Sequence, residues 1–167
     1  RVKNNLQIVA SLLNMQARKA NPEVATAFAE CQTRVRAMAL VHQLLYESEN
    51  MAEIDLGLYL SQLATLSRAS YDDVKSQISI EFVPPLLPIK IDVQRAIPCG
   101  LIVSELILNA YKHAFRDGKP GHITVSLQNL GNTRFQLSVS DDGMGLPHNF
   151  SWQSRSGLGT QLVPMFA

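Results

Sequence analysis

Glu105-Leu-Ile-Leu-Asn109-Ala-Tyr-Lys112-His113-Ala-Phe115 is the stretch on which the reading of this 167-residue chain turns. Glu105 and Asn109 stand four apart, and Asn109 and Lys112 three apart. On a helix those offsets bring a carboxylate, an amide and an ammonium to one face. Leu101, Ile102, Leu106 and Leu108 fall mostly on the other faces, suited to a core. The polar stripe admits two readings. One is a solvated face. The other is a site for a magnesium-bound polyphosphate, with oxygen ligands for the metal and cations for the phosphates.

Two glycine motifs downstream favour the second reading. Phe135, Leu137 and Val139 alternate with polar residues and run as a strand into Asp141-Asp142-Gly143-Met144-Gly145. The glycines there permit a tight turn and close approach of backbone to a ligand. In Ser156-Gly157-Leu158-Gly159-Thr160-Gln161 a glycine loop opens a helix, and such a loop offers free N–H groups to phosphate. Either motif alone marks a turn. A polar helix stripe, a strand ending in DxGxG and a GxG-helix, in that order, form a much more specific set.

These three blocks resemble the N, G1 and G2 boxes of the ATPase superfamily of gyrase, heat-shock chaperone, histidine kinase and mismatch-repair proteins. The ELILNAYKHAF form is similar to the sensor histidine-kinase branch. Arg1-Val-Lys3-Asn4-Asn5-Leu-Gln7 matches the acceptor box histidine-Arg-x-Lys-Asn-Asn of a bacterial subfamily. The resemblance implies Mg-ATP as phosphoryl donor and an acceptor histidine immediately before Arg1, with Asn4 beside it as an accessory. It also implies an aspartate of a response-regulator receiver domain as the next acceptor. It makes Glu105 a catalytic base or an orienter of metal-bound water, and Asn109, with Glu105, the metal ligand. It brings Lys112 and His113 near the phosphates and gives Asp141 to the adenine amino group. Gly143 and Gly145 then let the backbone meet the nucleotide, and Gly157, Gly159 and Thr160 hold the triphosphate. Each role has a bland counterpart: a turn cap for Asp141, a structural hydrogen bond for His113. Asp142 reads as a turn residue. Residues 146–156 match a short mobile flap, in which Arg155 would reach the phosphates or stay solvated and Trp152 would anchor packing or meet a partner.

The rest of the chain fits this frame. Residues 2–20 read as a helix with two apolar stripes, Val2, Leu6, Val9 and Leu13 beside Ile8, Leu12 and Met15. Asn21 and Pro22 suit an N-cap and a first helical turn. Val24, Phe28, Cys31, Val35, Met38, His42 and Leu45 then step by four and three as a heptad seam to about Ser48. His42 falls on that seam as a packing residue. A hairpin so tightly turned is antiparallel, and pairing with a second copy as a four-helix bundle buries both its faces. The rival arrangement packs the hairpin only on its own C-terminal domain.

Glu49–Glu53 reads as a hinge. A helix capped by Asp55 follows, with Leu56, Leu60, Leu63 and Leu66 buried and Ser67–Lys75 as a loop. Ile78, Ile80 and Phe82 form a strand ended by Pro84-Pro85. Asp92 caps the helix of the central stretch, and Pro98 kinks that helix or marks its first regular turn. Strands around Ile123–Leu127 and Phe135–Val139, turned at Gly131-Asn132, make a hairpin.

The fold class is therefore α+β. A dimerising and phosphotransfer hairpin spans 1–50, and an α/β sandwich for ATP spans 54–167, which stops soon after the third box. Apolar residues at 46% support a core, charged residues at 17% suit a surface partly covered by a partner, and a net charge of +1 gives no electrostatic case for nucleic acid. Cys31 and Cys99 lack metal-ligand spacing and read as buried, reduced thiols of a cytoplasmic protein. No apolar run reads as a bilayer span. The function these observations predict is a sensor histidine kinase. Its alternatives are a dimeric phosphotransfer protein with a degenerate nucleotide domain, or an ATPase of another branch.

Overall fold

The structure is a computed structural model and describes residues 2–48, 52–71, 77–115 and 120–145. Helix α1 (Val2–Ala17) and helix α2 (Pro22–Glu47) form the expected hairpin. Asn21 caps α2, its side chain accepting from the Val24 N–H at 2.9 Å, and Pro22 occupies the first turn, where its missing N–H costs nothing. The hairpin register is marked by Gln32, whose side-chain amide donates to the Ala10 carbonyl at 3.1 Å.

The sheet is mixed, as the α+β reading requires. Strand β2 (Ile78–Val83) runs parallel to the central β4 (Gly121–Gly131), and β5 (Arg134–Asp141) runs antiparallel to β4. Ile80 pairs with Ile123 and Val125 with Val139, so the middle of one sheet face is apolar, with Asp141 opposite Ile123 and Asn129 opposite Phe135 toward its ends. Helices α3 (Leu56–Tyr71) and α4 (Val93–His113) cover that face, and Ile123, Val125 and Leu127 are buried beneath them. Asp92 caps α4 by accepting from the Arg95 N–H at 2.9 Å. Pro98 lies inside α4, which continues unbroken past it to His113. Its missing N–H removes one ladder bond near the helix start.

Several sequence expectations are corrected. Glu53, expected in a hinge, begins strand β1 (Glu53–Asp55), which pairs with β3 (Lys90–Asp92) in a small second sheet. The helix capped by Asp55 extends to Tyr71 instead of ending before Ser67. Ser67 is buried and its hydroxyl donates back to the Leu63 carbonyl at 2.9 Å, so it is satisfied inside the helix. Leu66 is exposed, and the buried stripe is completed by Tyr59. Cys31 is exposed; Cys99 is half-buried, and burial raises its thiol pKa. Helix α4 does reach the length and hydropathy of a bilayer span, but half of it is buried in the core.

Helix α2 adds a second apolar face to the one read from the sequence. Its buried residues are Ala37, Leu40, Val41 and Leu44, not the heptad seam, on which Val24 and Cys31 are exposed and Val35 and Met38 half-buried. Those four residues join one continuous core with Ile54, Tyr59 and Ile107. Tyr59, fully buried, donates its hydroxyl to the Ala37 carbonyl at 3.1 Å. Gly100 makes room for the same ring, because a Cβ there would fall 1.9 Å from the hydroxyl oxygen. Burial raises the Tyr59 pKa, so the phenol remains a donor.

Candidate nucleotide-binding site

Helix α4 carries the polar stripe. Asn109 is half-buried, and Lys112 and His113 are exposed in the last turn, where a cation meets the negative end of the helix dipole. Strand β5 delivers Asp141 to the turn that follows. There the Asp141 carboxylate accepts from the Gly143 N–H at 3.0 Å, the turn-capping geometry of an Asp-x-Gly sequence. Asp142 is tied to the neighbouring strand: its carboxylate accepts from the His122 N–H at 2.6 Å, and its own N–H donates to the His122 carbonyl at 3.2 Å.

The turn is fastened directly to the end of α4. The Met144 N–H donates to the Ala114 carbonyl at 3.0 Å. Gly143 lies so close that a Cβ would come within 2.5 Å of Ala114 Cβ and of its carbonyl oxygen. A side chain at 143 would therefore push the turn off the helix. Gly145 is exposed with φ +73°, a conformation that favours glycine. The fold thus brings together the helix stripe and the DxGxG turn. Gly157, Gly159 and Thr160, together with Trp152, Arg155 and the rest of 146–156, lie outside the described residues.

Glu105 is the member of the stripe whose surroundings differ most from expectation. It is 6% exposed and accepts from the Arg34 Nε at 2.5 Å. One turn away on α2, Glu30 accepts from Lys112 and lies 3.8 Å from Arg34. Lys112, Glu30, Arg34 and Glu105 thus form an alternating chain of charge across the α2–α4 contact. Burial alone would lower the Arg34 pKa, but the hydrogen bond and charge of Glu105 outweigh it and hold it above its ordinary value. Sequence reasoning missed Glu30 and Arg34. Their signal was an acid and a base at i and i+4 on α2, just off the heptad seam. Asn4 stands well apart, exposed on α1 in a shallow groove with Gln7, Ile8, Ser11, Leu12 and Met15.

Residues 1–71 match the family described as histidine kinase, and residues 95–164 match the histidine kinase-, DNA gyrase B-, and HSP90-like ATPase family. The two matches follow one another along the chain, and both descriptions include histidine kinase. The sensor histidine kinase PdtaS of Mycolicibacterium smegmatis is 36% identical over 165 residues, which span 98% of this chain and 32% of that protein. Blue-light-activated histidine kinase 2 of Erythrobacter litoralis is 29% identical over 171 residues, spanning 98% of this chain and 47% of that protein. The chain therefore spans less than half the length of these curated relatives. The histidine kinase domain of the Erythrobacter litoralis EL346 blue-light activated histidine kinase has the same fold, with a TM-score of 0.68 at 21% identity, covering 99% of this chain and 81% of that one. The two matched stretches meet at the charge chain, with Glu30 and Arg34 in the first and Glu105 and Lys112 in the second.

Proposed function

We propose that this chain is the kinase core of a two-component sensor. A histidine just before Arg1 attacks the γ-phosphorus of ATP, the new P–N bond replaces the bond to the bridging oxygen, and ADP leaves. The imidazole proton is lost, and Glu105 is the residue suited to accept it or to orient the group that does. The phosphoryl group then passes to an aspartate of a response-regulator receiver domain. Residues 1–50 dimerise and follow directly on the acceptor histidine, residues 54–167 bind ATP, and the whole works in the cytoplasm.

What carries this reading is the fastening of the DxGxG turn to the end of α4 through Ala114. It holds Asp141, for the adenine amine, at a fixed distance from Asn109 and Lys112, for the metal and phosphates. Positioning and charge neutralisation are what phosphoryl transfer requires of a protein. The amide oxygen of half-buried Asn109 suits a hard cation such as magnesium, whereas one of the two Glu105 oxygens is already engaged by Arg34. Bound magnesium would supply neutralisation of phosphate charge. Homodimerisation is supported by the apolar face of α1, where Ile8, Leu12 and Met15 are exposed in the groove that also includes Asn4.

Asp141→Asn is expected to weaken ATP binding at least about tenfold by calorimetry, because an amide can offer a donor where the adenine amine needs an acceptor. The same chain extended upstream by its natural sequence should take one acid-labile, base-stable label from γ-labelled ATP. Unchanged ATP affinity in Asp141→Asn, or label on His42, His113, His122 or His148, would overturn these assignments.

A further inference from the structure

The chain of charge between α2 and α4 engages two of the groups that the proposed nucleotide site needs. Lys112 is held by Glu30, and Glu105 by Arg34. Neither contact is local, since the partners are 82 and 71 residues apart in sequence. Along α2 the order is Glu30 then Arg34; along α4 it is Glu105 then Lys112. The pairing is reciprocal, so the two helices run antiparallel where they meet and the end of α4 points toward the hairpin turn.

That direction bears on phosphotransfer. Gln32 sits level with Ala10, so Arg34 lies level with about residue 8 of α1 and Glu30 with about residue 12. At 1.5 Å per residue, the position before Arg1 is roughly 12 Å along the axis from the Glu105 contact and roughly 18 Å from the Lys112 contact. The phosphate-binding end of α4 is therefore aimed away from the acceptor.

We propose that Glu30 and Arg34 form an intramolecular clamp that parks the nucleotide helix in a resting arrangement, and that Mg-ATP binding and clamp closure exclude one another. The proposal rests on the reading of Glu105 and Lys112 as nucleotide-site residues. In the closed form Lys112 neutralises Glu30 instead of phosphate, and the Glu105 oxygen nearest Arg34 is taken. Opening the Arg34–Glu105 pair leaves a buried carboxylate without its cation, which a bound metal or the acceptor imidazole can then occupy. By linkage, whatever weakens the clamp strengthens nucleotide binding by the same factor, and nucleotide in turn opens the clamp.

Glu30→Gln is the direct test, because it releases Lys112 while leaving the Arg34–Glu105 pair, and Glu30 and Lys112 are exposed enough for the variant to fold. A fluorescent ATP analogue with magnesium should bind Glu30→Gln about 3- to 10-fold more tightly than the parent chain. Spin labels at Thr26 and Gln136, placed after Cys31→Ser and Cys99→Ala, should show a longer distance in Glu30→Gln without nucleotide and in the parent chain once Mg-ATP is added. Arg34→Lys keeps the charge but loses the guanidinium geometry, and should shift both readouts in the same direction. Unchanged affinity together with an unchanged label distance in Glu30→Gln would overturn the clamp. Failure of every form to bind nucleotide would instead sink the nucleotide-site reading. The label distance in Glu30→Gln would then still decide whether the charge chain holds the helices together.

Discussion

The two halves of helix α2 are built from the same kind of apolar sequence and have opposite fates. Before Ala37, Val24 and Cys31 are exposed and Phe28 and Val35 half-buried. From Ala37 onward, Ala37, Leu40, Val41 and Leu44 are buried beneath α3 and α4. One helix thus belongs to two packing units. The lesson is that hydrophobic periodicity records how many faces a helix must cover, but not which neighbour covers each.

The sharpest way to break this comparison is to place the same charge on each side of it. Val41 is fully buried, so Val41→Asp should cost about 3–5 kcal/mol or more and unfold the nucleotide body with the hairpin. Leu12, on the exposed face of α1, should tolerate Asp with a change within about 0.5 kcal/mol in the isolated chain while abolishing the proposed dimer. Denaturant melts and sedimentation of both variants read the two effects. Equal destabilisation by the two substitutions would erase the distinction between the halves of α2.

The contrast was only half legible in the sequence, and the residues explain why. The seam from Val24 to Leu45 follows heptad spacing, but Ala37, Leu40, Val41 and Leu44 follow helical spacing as well, one face over. Spacing alone gave no reason to prefer the second set. The α+β order was legible because Ile78–Phe82, Ile123–Leu127 and Phe135–Val139 alternate as one-sided strands must. The caps at Asn21 and Asp92 were legible because capping is local. Strands β1 and β3 were not, since each has three residues, too few for a pattern, and they exist by pairing across the fold. At the candidate site the stripe and the turn were legible as motifs. The Arg34–Glu105 pair was not, because it joins residues 71 apart in sequence.

A smaller effect sharpens where the boundary lies. Gly100→Ala would drive a methyl into Tyr59 and should cost about 1–3 kcal/mol in a chemical melt, while Tyr59→Phe, which loses only the bond to Ala37, should cost about 1 kcal/mol. Parity of the two would mean that the hydroxyl, not the volume, governs this junction. The smallest expected effect lies at the other end of α2. Asn21→Ala removes the bond to the Val24 N–H and should cost about 1 kcal/mol, with faster amide exchange confined to the first turn of the helix.

The Tyr59 contact has a mechanical consequence. Ala37 is pinned to the core, whereas Arg34 and Glu30 grip α4 about 4.5 and 10 Å further along the axis, at 1.5 Å per residue. Helix α2 is in effect a lever whose fulcrum is sunk in the core and whose free arm ends at the hairpin turn. A bend of about 20° at the fulcrum carries Glu30 through about 3.5 Å, enough to part a hydrogen bond. The same bend swings the hairpin turn, about 24 Å from the fulcrum, through about 8 Å. An event the size of one lost contact at the site is thereby geared up into a displacement larger than a helix radius at the far tip.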